Sequence, residues 1–168
     1  EVFDFRLLRS TWHPEAFRRL ILESDRAVPQ GGWPPVVFSN HDQSRHIDRY
    51  GAGGDPIGRA RAAALLLLTL RGTPFLYYGE ELGLRDGRLK RSHLRDPYTI
   101  RYWPWKIGRD PARTPMPWDD SPQAGFTSGA PWLPLSQGWR QTNVASEQQD
   151  PGSMLSLYKR LIRLKKGS

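Results

Sequence analysis

The sequence contains no cysteine. It can form neither a disulfide framework nor a thiolate metal site, which fits a reducing, cytoplasmic compartment. It also lacks a long hydrophobic run. The longest apolar stretch, residues 62–68, is far below the roughly 20 residues that a membrane span requires. No block of about five or more like charges occurs, although the formal net charge is +8. Arginine and lysine are scattered from Arg6 to Lys166. No RNA-binding signature and no paired zinc-ligand spacing is present. No nucleic-acid partner, membrane, metal or cofactor is therefore expected. The first residue is Glu1 rather than Met, and nothing ahead of the first apolar run resembles a signal peptide. Cropping or processing would account for both. The 168 residues suit one ordinary domain but fall short of a complete (β/α)8 barrel, which takes about 250.

What is present alternates. Residues 2–5 are apolar and aromatic and predict a strand. A helix follows, with Pro14 in its first turn and Phe17, Leu20 and Ile21 at helical spacing. A Gly/Pro-rich loop, residues 29–35, leads into a second strand at 36–38. Asp55-Pro56 reads as an N-cap with Pro behind it, opening a helix over 57–70 that runs to Gly72. Its Ala- and Leu-rich stretch implies burial on more than one face. Residues 74–78 predict a third strand. Strand, helix, strand, helix, strand indicates an α/β fold with parallel strands and helical crossovers.

Residues 85–149 break this rhythm. Eight of the 15 prolines and five of the seven tryptophans lie between positions 97 and 139. So many large aromatics would not sit in a free linker, so an ordered, loop-rich excursion is expected, and long ordered loops are usually functional. A final helix is expected from Asp150-Pro151 onward. Met154, Leu157, Tyr158, Leu161, Ile162 and Leu164 form its apolar face, and Lys165 and Lys166 suit its C-terminal end.

Catalytic groups in parallel α/β folds lie at the C-terminal ends of strands. Asn40-His41-Asp42 follows the second strand directly. A carboxylate there can oppose a developing positive charge, accept hydrogen bonds from sugar hydroxyls or bind a metal. The imidazole can donate to a hydroxyl. By themselves these three residues read more readily as an Asp-capped turn that merely ends a strand.

The wider order of strings is more specific. VVFSNHDQSR (36–45) is followed by GTPFLYYGEELGL (72–84), GRDPARTPMPWDD (108–120), AGFTSGAPWLPL (124–135) and Asn143-Val144. This series, above all GRDPARTPMPW, resembles the end of the catalytic barrel of the α-amylase superfamily, glycoside hydrolase family 13. It is most similar to the oligo-1,6-glucosidase and α-glucosidase branch, and the similarity extends over essentially the whole chain. The resemblance implies a partial TIM (β/α)8 barrel. Residues 1–84 would be β/α units six to eight, 85–149 the excursion and 150–168 the final barrel helix.

It also implies roles. Asp42 matches the carboxylate after strand seven that stabilises the transition state. His41 matches the imidazole that contacts the reacting glucose, and Arg109 the arginine that closes that subsite. Asn40, Arg45 and Arg113 support these groups. Glu80 and Glu81 match a motif whose carboxylates make structural hydrogen bonds, not acid catalysis. The implied reaction is retaining hydrolysis of α-glucosidic bonds in short malto- or isomalto-oligosaccharides.

Such enzymes use an Asp nucleophile and a Glu acid/base, which in this family follow strands four and five. The sequence matches from strand six onward, and Asp4 sits at the wrong barrel position to replace either group. The isolated chain is therefore expected to be inactive. Its expected partners are an oligosaccharide together with either the N-terminal barrel half or further copies of itself. The alternatives are a trehalose synthase or other transglucosylase of the same family, a non-catalytic sugar-binding fragment, and a basic partner of nucleic acid.

Overall fold

The computed structural model describes residues 3–105 and 108–167. A single turn, α1 (Arg6–Arg9), precedes α2 (Pro14–Ala27). Strand β1 (Pro35–Val37) is followed by α3 (His46–Gly51) and α4 (Pro56–Thr69), and then by β2 (Thr73–Phe75). The rest holds α5 (Pro97–Tyr102), α6 (Val144–Gln149), several short 3-10 turns and the closing helix α7 (Met154–Gly167).

The two long early helices form where the sequence places them. Each opens on a proline, whose missing N–H would have had no intrahelical partner there. Asp55 occupies the N-cap position of α4, but its carboxylate makes no capping bond. Ala60, Ala63, Ala64, Leu67 and Leu68 are buried along α4. Alanine at this face lets α3 and α7 pack close on either side. The helix stops before Gly72, whose φ is +130°. A side chain at that point would run into the Pro34 carbonyl oxygen where the chain enters the sheet.

β1 and β2 pair in parallel, with Pro35 opposite Thr73, Val36 opposite Pro74 and Val37 opposite Phe75. The intervening helices make the crossover that a parallel pair requires. One core lies beneath. Phe38 stacks on Phe17 with ring centroids 5.9 Å apart, and Tyr50 meets both edge-on. The Tyr50 hydroxyl donates to the Leu7 carbonyl at 2.7 Å, so its polar tip is satisfied in the interior. Tyr158 and Leu161 of α7 complete the cluster.

Three expectations need correction. The strand foreseen at residues 2–5 is absent from the described part, residues 3–5; Val2 lies outside the described residues. The cause is local. Asp4 accepts from the Arg6 backbone N–H at 3.0 Å and from its guanidinium at 2.7–3.1 Å, which turns the chain into α1 at once. The other strands are displaced by a residue or cut short: β1 covers 35–37 rather than 36–38, and β2 covers 73–75 rather than 74–78.

The last helix begins at Met154, not at Asp150. Asp150 instead ends α6, and Ser153 caps α7, its hydroxyl accepting from the Ser156 N–H at 3.1 Å. The Pro- and Trp-rich excursion is ordered as expected, with Leu133 and Thr114 fully buried. Among the described residues no helix is long and apolar enough to cross a membrane.

Candidate active site

The loop after β1 is set by a buried serine. Ser39 accepts from the His46 N–H at 2.9 Å, so the chain must bulge outward between these two positions. Within the bulge the Asn40 side-chain oxygen accepts from the Asp42 N–H at 2.9 Å. This tight Asx turn leaves the His41 and Asp42 side chains facing outward, with 66% and 45% of their surface exposed.

The other wall comes from far along the chain. Arg113 donates through Nε to the His41 carbonyl at 2.8 Å and through Nη2 to Asp42 Oδ1 at 3.1 Å. Arg109 Nη1 and His41 Nε2 each stand 3.5 Å from the same oxygen. Three nitrogen-bearing side chains thus converge on one carboxylate oxygen at the C-terminal end of β1. Arg113, expected as a supporting residue, reaches Asp42 more closely than Arg109 does.

Arg45 holds the two walls together from below. It is only 1% exposed. Nη1 donates to the Tyr78 carbonyl at 2.6 Å and Nη2 to the Ala112 carbonyl at 2.9 Å. Its guanidinium lies about 5 Å from the Tyr77 and Tyr78 ring centres. The Tyr77 hydroxyl donates to the same Ala112 carbonyl at 3.0 Å, and burial pushes its phenol well above the ordinary range. Gly79, at φ +84°, leaves room for the guanidinium: a Cβ there would lie 2.9 Å from Arg45 Nη1. The end of the third predicted strand and the GRDPAR segment are therefore pinned to the same buried cation.

One site residue escapes a reading of the sequence. Asp96, 3% exposed, accepts from Arg109 Nη2 at 2.7 Å and from Nε at 3.1 Å. This pairing holds the Asp96 carboxyl well below the usual carboxylate range and lifts Arg109 above its own. Its local signal, Asp96-Pro97, marks it only as the cap of α5, which it also is.

The remaining carboxylates lie elsewhere. Glu80 is buried, with His46 Nδ1 3.5 Å from its Oε1; neither of its oxygens meets hydrogen-bond geometry. The expected structural hydrogen bonding of Glu80 is thus not formed. Ser39, His46 and Glu80 do not make a nucleophilic relay, because serine and glutamate meet the same imidazole nitrogen in the dry interior. Burial raises the Glu81 carboxyl. Asp4 is chelated by Arg6 and lines a separate groove with Trp33 and Pro35. Among the described residues no cluster of three or more His, Cys, Asp or Glu could hold a metal.

Phe3, Phe5, Phe75, Leu76 and Tyr77 join Asn40, His41 and Asp42 around a cleft of about 220 Å³. That is below the roughly 300–1,000 Å³ of ordinary ligand sites. The lining of the cleft is largely apolar, and its one carboxylate, Asp42, is contacted by Arg109 and Arg113.

Comparison with known proteins identifies the family. Residues 4–168 match the model of the α-amylase catalytic domain. A probable α-glucosidase of Rhizobium meliloti (strain 1021) is 42% identical over 156 residues, covering 92% of this chain and 28% of that protein. The oligo-1,6-glucosidase of Parageobacillus thermoglucosidasius is 33% identical over 174 residues, covering 92% of this chain and 31% of the enzyme. Among solved structures, the α-glucosyl transfer enzyme XgtA superposes with a TM-score of 0.89 at 40% identity, over 98% of this chain and 31% of its own. The trehalulose synthase from Pseudomonas mesoacidophila MX-45 gives 0.83 at 32% identity, over 99% of this chain and 35% of its own. The chain spans about a third of the length of these relatives. It belongs to the α-amylase family, glycoside hydrolase family 13, and carries part of that family's TIM-barrel catalytic domain.

Proposed function

We propose that this chain contributes β/α units six to eight of the catalytic barrel of a retaining glycosidase. Its substrates are short malto- or isomalto-oligosaccharides, cleaved at α-glucosidic bonds. The observation that carries this reading is the convergence on Asp42 of Arg109 and Arg113, which lie 67 and 71 residues further along the chain. Two guanidinium groups hold one half-exposed carboxylate in place, which suits a group that faces a developing positive charge.

In this reading Asp42 faces the oxocarbenium-like carbon and stabilises it electrostatically. His41 and Arg109 hold the glucose hydroxyls throughout the reaction. Asn40 and Arg45 shape the loop, and Arg113 braces both His41 and Asp42. The nucleophile and the acid/base come from units four and five, outside residues 1–168. They form the covalent glucosyl intermediate and protonate the leaving oxygen. The chain needs those units for turnover and for the second wall of its cleft.

A second reading, glucosyl transfer to another sugar, is favoured by the names of the two structural neighbours. The same three residues would serve it, because the two outcomes differ only in whether water or a sugar hydroxyl meets the intermediate. Product analysis on concentrated sucrose or maltose separates them by the ratio of free glucose to transfer product.

The chain alone is expected to show no turnover of maltose, isomaltose or sucrose above background. Supplied with the first five units, it should hydrolyse p-nitrophenyl α-glucoside. Robust turnover by the chain alone, in material free of host glucosidase, would overturn this reading.

A further inference from the structure

A buried carboxylate is costly unless it is paired and hydrogen-bonded. Asp96 is buried and uses both oxygens. Oδ1 accepts from Arg109 Nη2 at 2.7 Å and from the Tyr98 N–H at 3.3 Å. Oδ2 accepts from Arg109 Nε at 3.1 Å, from the Arg109 N–H at 3.3 Å and from the Thr99 hydroxyl at 3.2 Å. The first turn of α5 thus fixes the carboxylate, and the carboxylate fixes the guanidinium along one edge by two N–H···O bonds. Gly108 makes the approach feasible, since a Cβ there would collide with the Thr99 hydroxyl and come within 2.9 Å of Asp96 Oδ2.

Only Nη1 of Arg109 is directed at Asp42, and it stops at 3.5 Å. Released from Asp96, the guanidinium fork would find its strongest nearby acceptor in Asp42, which already carries Arg113 at 3.1 Å. Bidentate closure there would cover the oxygens that must face the sugar.

We propose that Asp96 is a positioning residue. It holds Arg109 by the edge opposite Asp42, so that the arginine borders the catalytic carboxylate without being captured by it and keeps Nη1 available to the substrate. This rests on the reading of Asp42 and Arg109 given above. Asp96 touches no substrate and acts through Arg109 alone.

The test uses the catalytic domain completed with the remaining barrel units. Asp96→Asn preserves the cap of α5, because the amide oxygen still accepts from the Tyr98 N–H. It removes the charge and sets an amide N–H against the guanidinium. KM is expected to rise at least about tenfold. In an Arg109→Ala background the same substitution should change KM by less than about twofold, because its only route of action is already gone. Asp96→Ser, which also caps, serves if the Asn variant does not fold.

A purely structural role would lower the active fraction, and hence apparent kcat, at constant KM and in both backgrounds. That outcome, or an unchanged KM in a folded Asn or Ser variant, overturns the proposal. Asp42→Asn is measured alongside. If it retains kcat, the reading of the site fails, whereas an effect of Asp42→Asn without one of Asp96→Asn sinks only the role given to Asp96.

Discussion

Asp42 is crowded by cations but half in water, and that combination decides what its removal should do. Salt screens exposed pairs, so the Arg113 and Arg109 contacts add little to stability. Their value lies in holding the carboxylate oriented. In the completed domain Asp42→Asn should keep the Asx turn and the shape of the site while lowering kcat by roughly two orders of magnitude or more. Steady-state kinetics check this, and a near-normal kcat would remove Asp42 from the mechanism. Arg109→Ala should instead raise KM and lower kcat together, since in the proposed site it would hold the glucose before and during the reaction. At this scale the motif order singled out Asn40, His41, Asp42 and Arg109, and the structure brings them together. That order did not single out Asp96. Its Asp-Pro dipeptide has a sufficient local explanation as a helix cap, and its guanidinium partner lies 13 residues further along the chain. No periodicity connects the two.

The junction of α6 and α7 shows the same limit for elements. Asp150-Pro151 has the form of a helix start, yet the helix begins three residues later under Ser153. Glu147 decides the geometry by reaching from α6 to accept the Leu155 N–H at 2.9 Å. Burial, with Glu81 and Asp150 nearby and Arg61 only partly compensating, pushes its carboxyl from 4.5 up to about 7. The folded chain therefore keeps a proton that the unfolded chain releases between pH 4.5 and about 7. Stability falls as pH rises through that window and is level on either side of it. Glu147→Gln keeps an oxygen for Leu155 and removes the titration. After discounting for partial solvent exposure, the gain is about 1 kcal/mol near pH 8, or roughly 3 °C in Tm, and little at about pH 5. Paired thermal melts at the two pH values check it, and an equal shift at both would contradict the assignment to Glu147.

For the molecule as a whole, two parallel strands cannot close a ring, which takes about eight with matched tilt and stagger. Beyond the β1–β2 pairing, each strand has an outer edge with no strand partner among the described residues, and unpaired edges invite pairing with other chains. Phe3, Phe5 and Leu76 are 48%, 36% and 44% exposed on the side where a barrel interior would be covered. The isolated chain is expected to form oligomers or to be poorly soluble. Light scattering at tens of micromolar checks this, and a stable, cooperatively melting monomer would show that the edges are protected. The sequence by itself determined what local rules govern. Proline at the first helical position and period-3.6 apolar faces located α2 and α4 and the body of α7. An apolar triplet after a Gly/Pro loop located β1 to within a residue, an apolar and aromatic run directly after a helix located β2 to within three, and motif order singled out the loop that carries Asp42. Only the tertiary structure decided the rest: that Arg45 is an interior strut, that Arg113 touches Asp42 and that Asp96 holds Arg109. Each of these depends on a polar side chain meeting a partner 13 to 71 residues away along the chain. That choice is made by distance in space, which neither propensity nor spacing along the chain encodes.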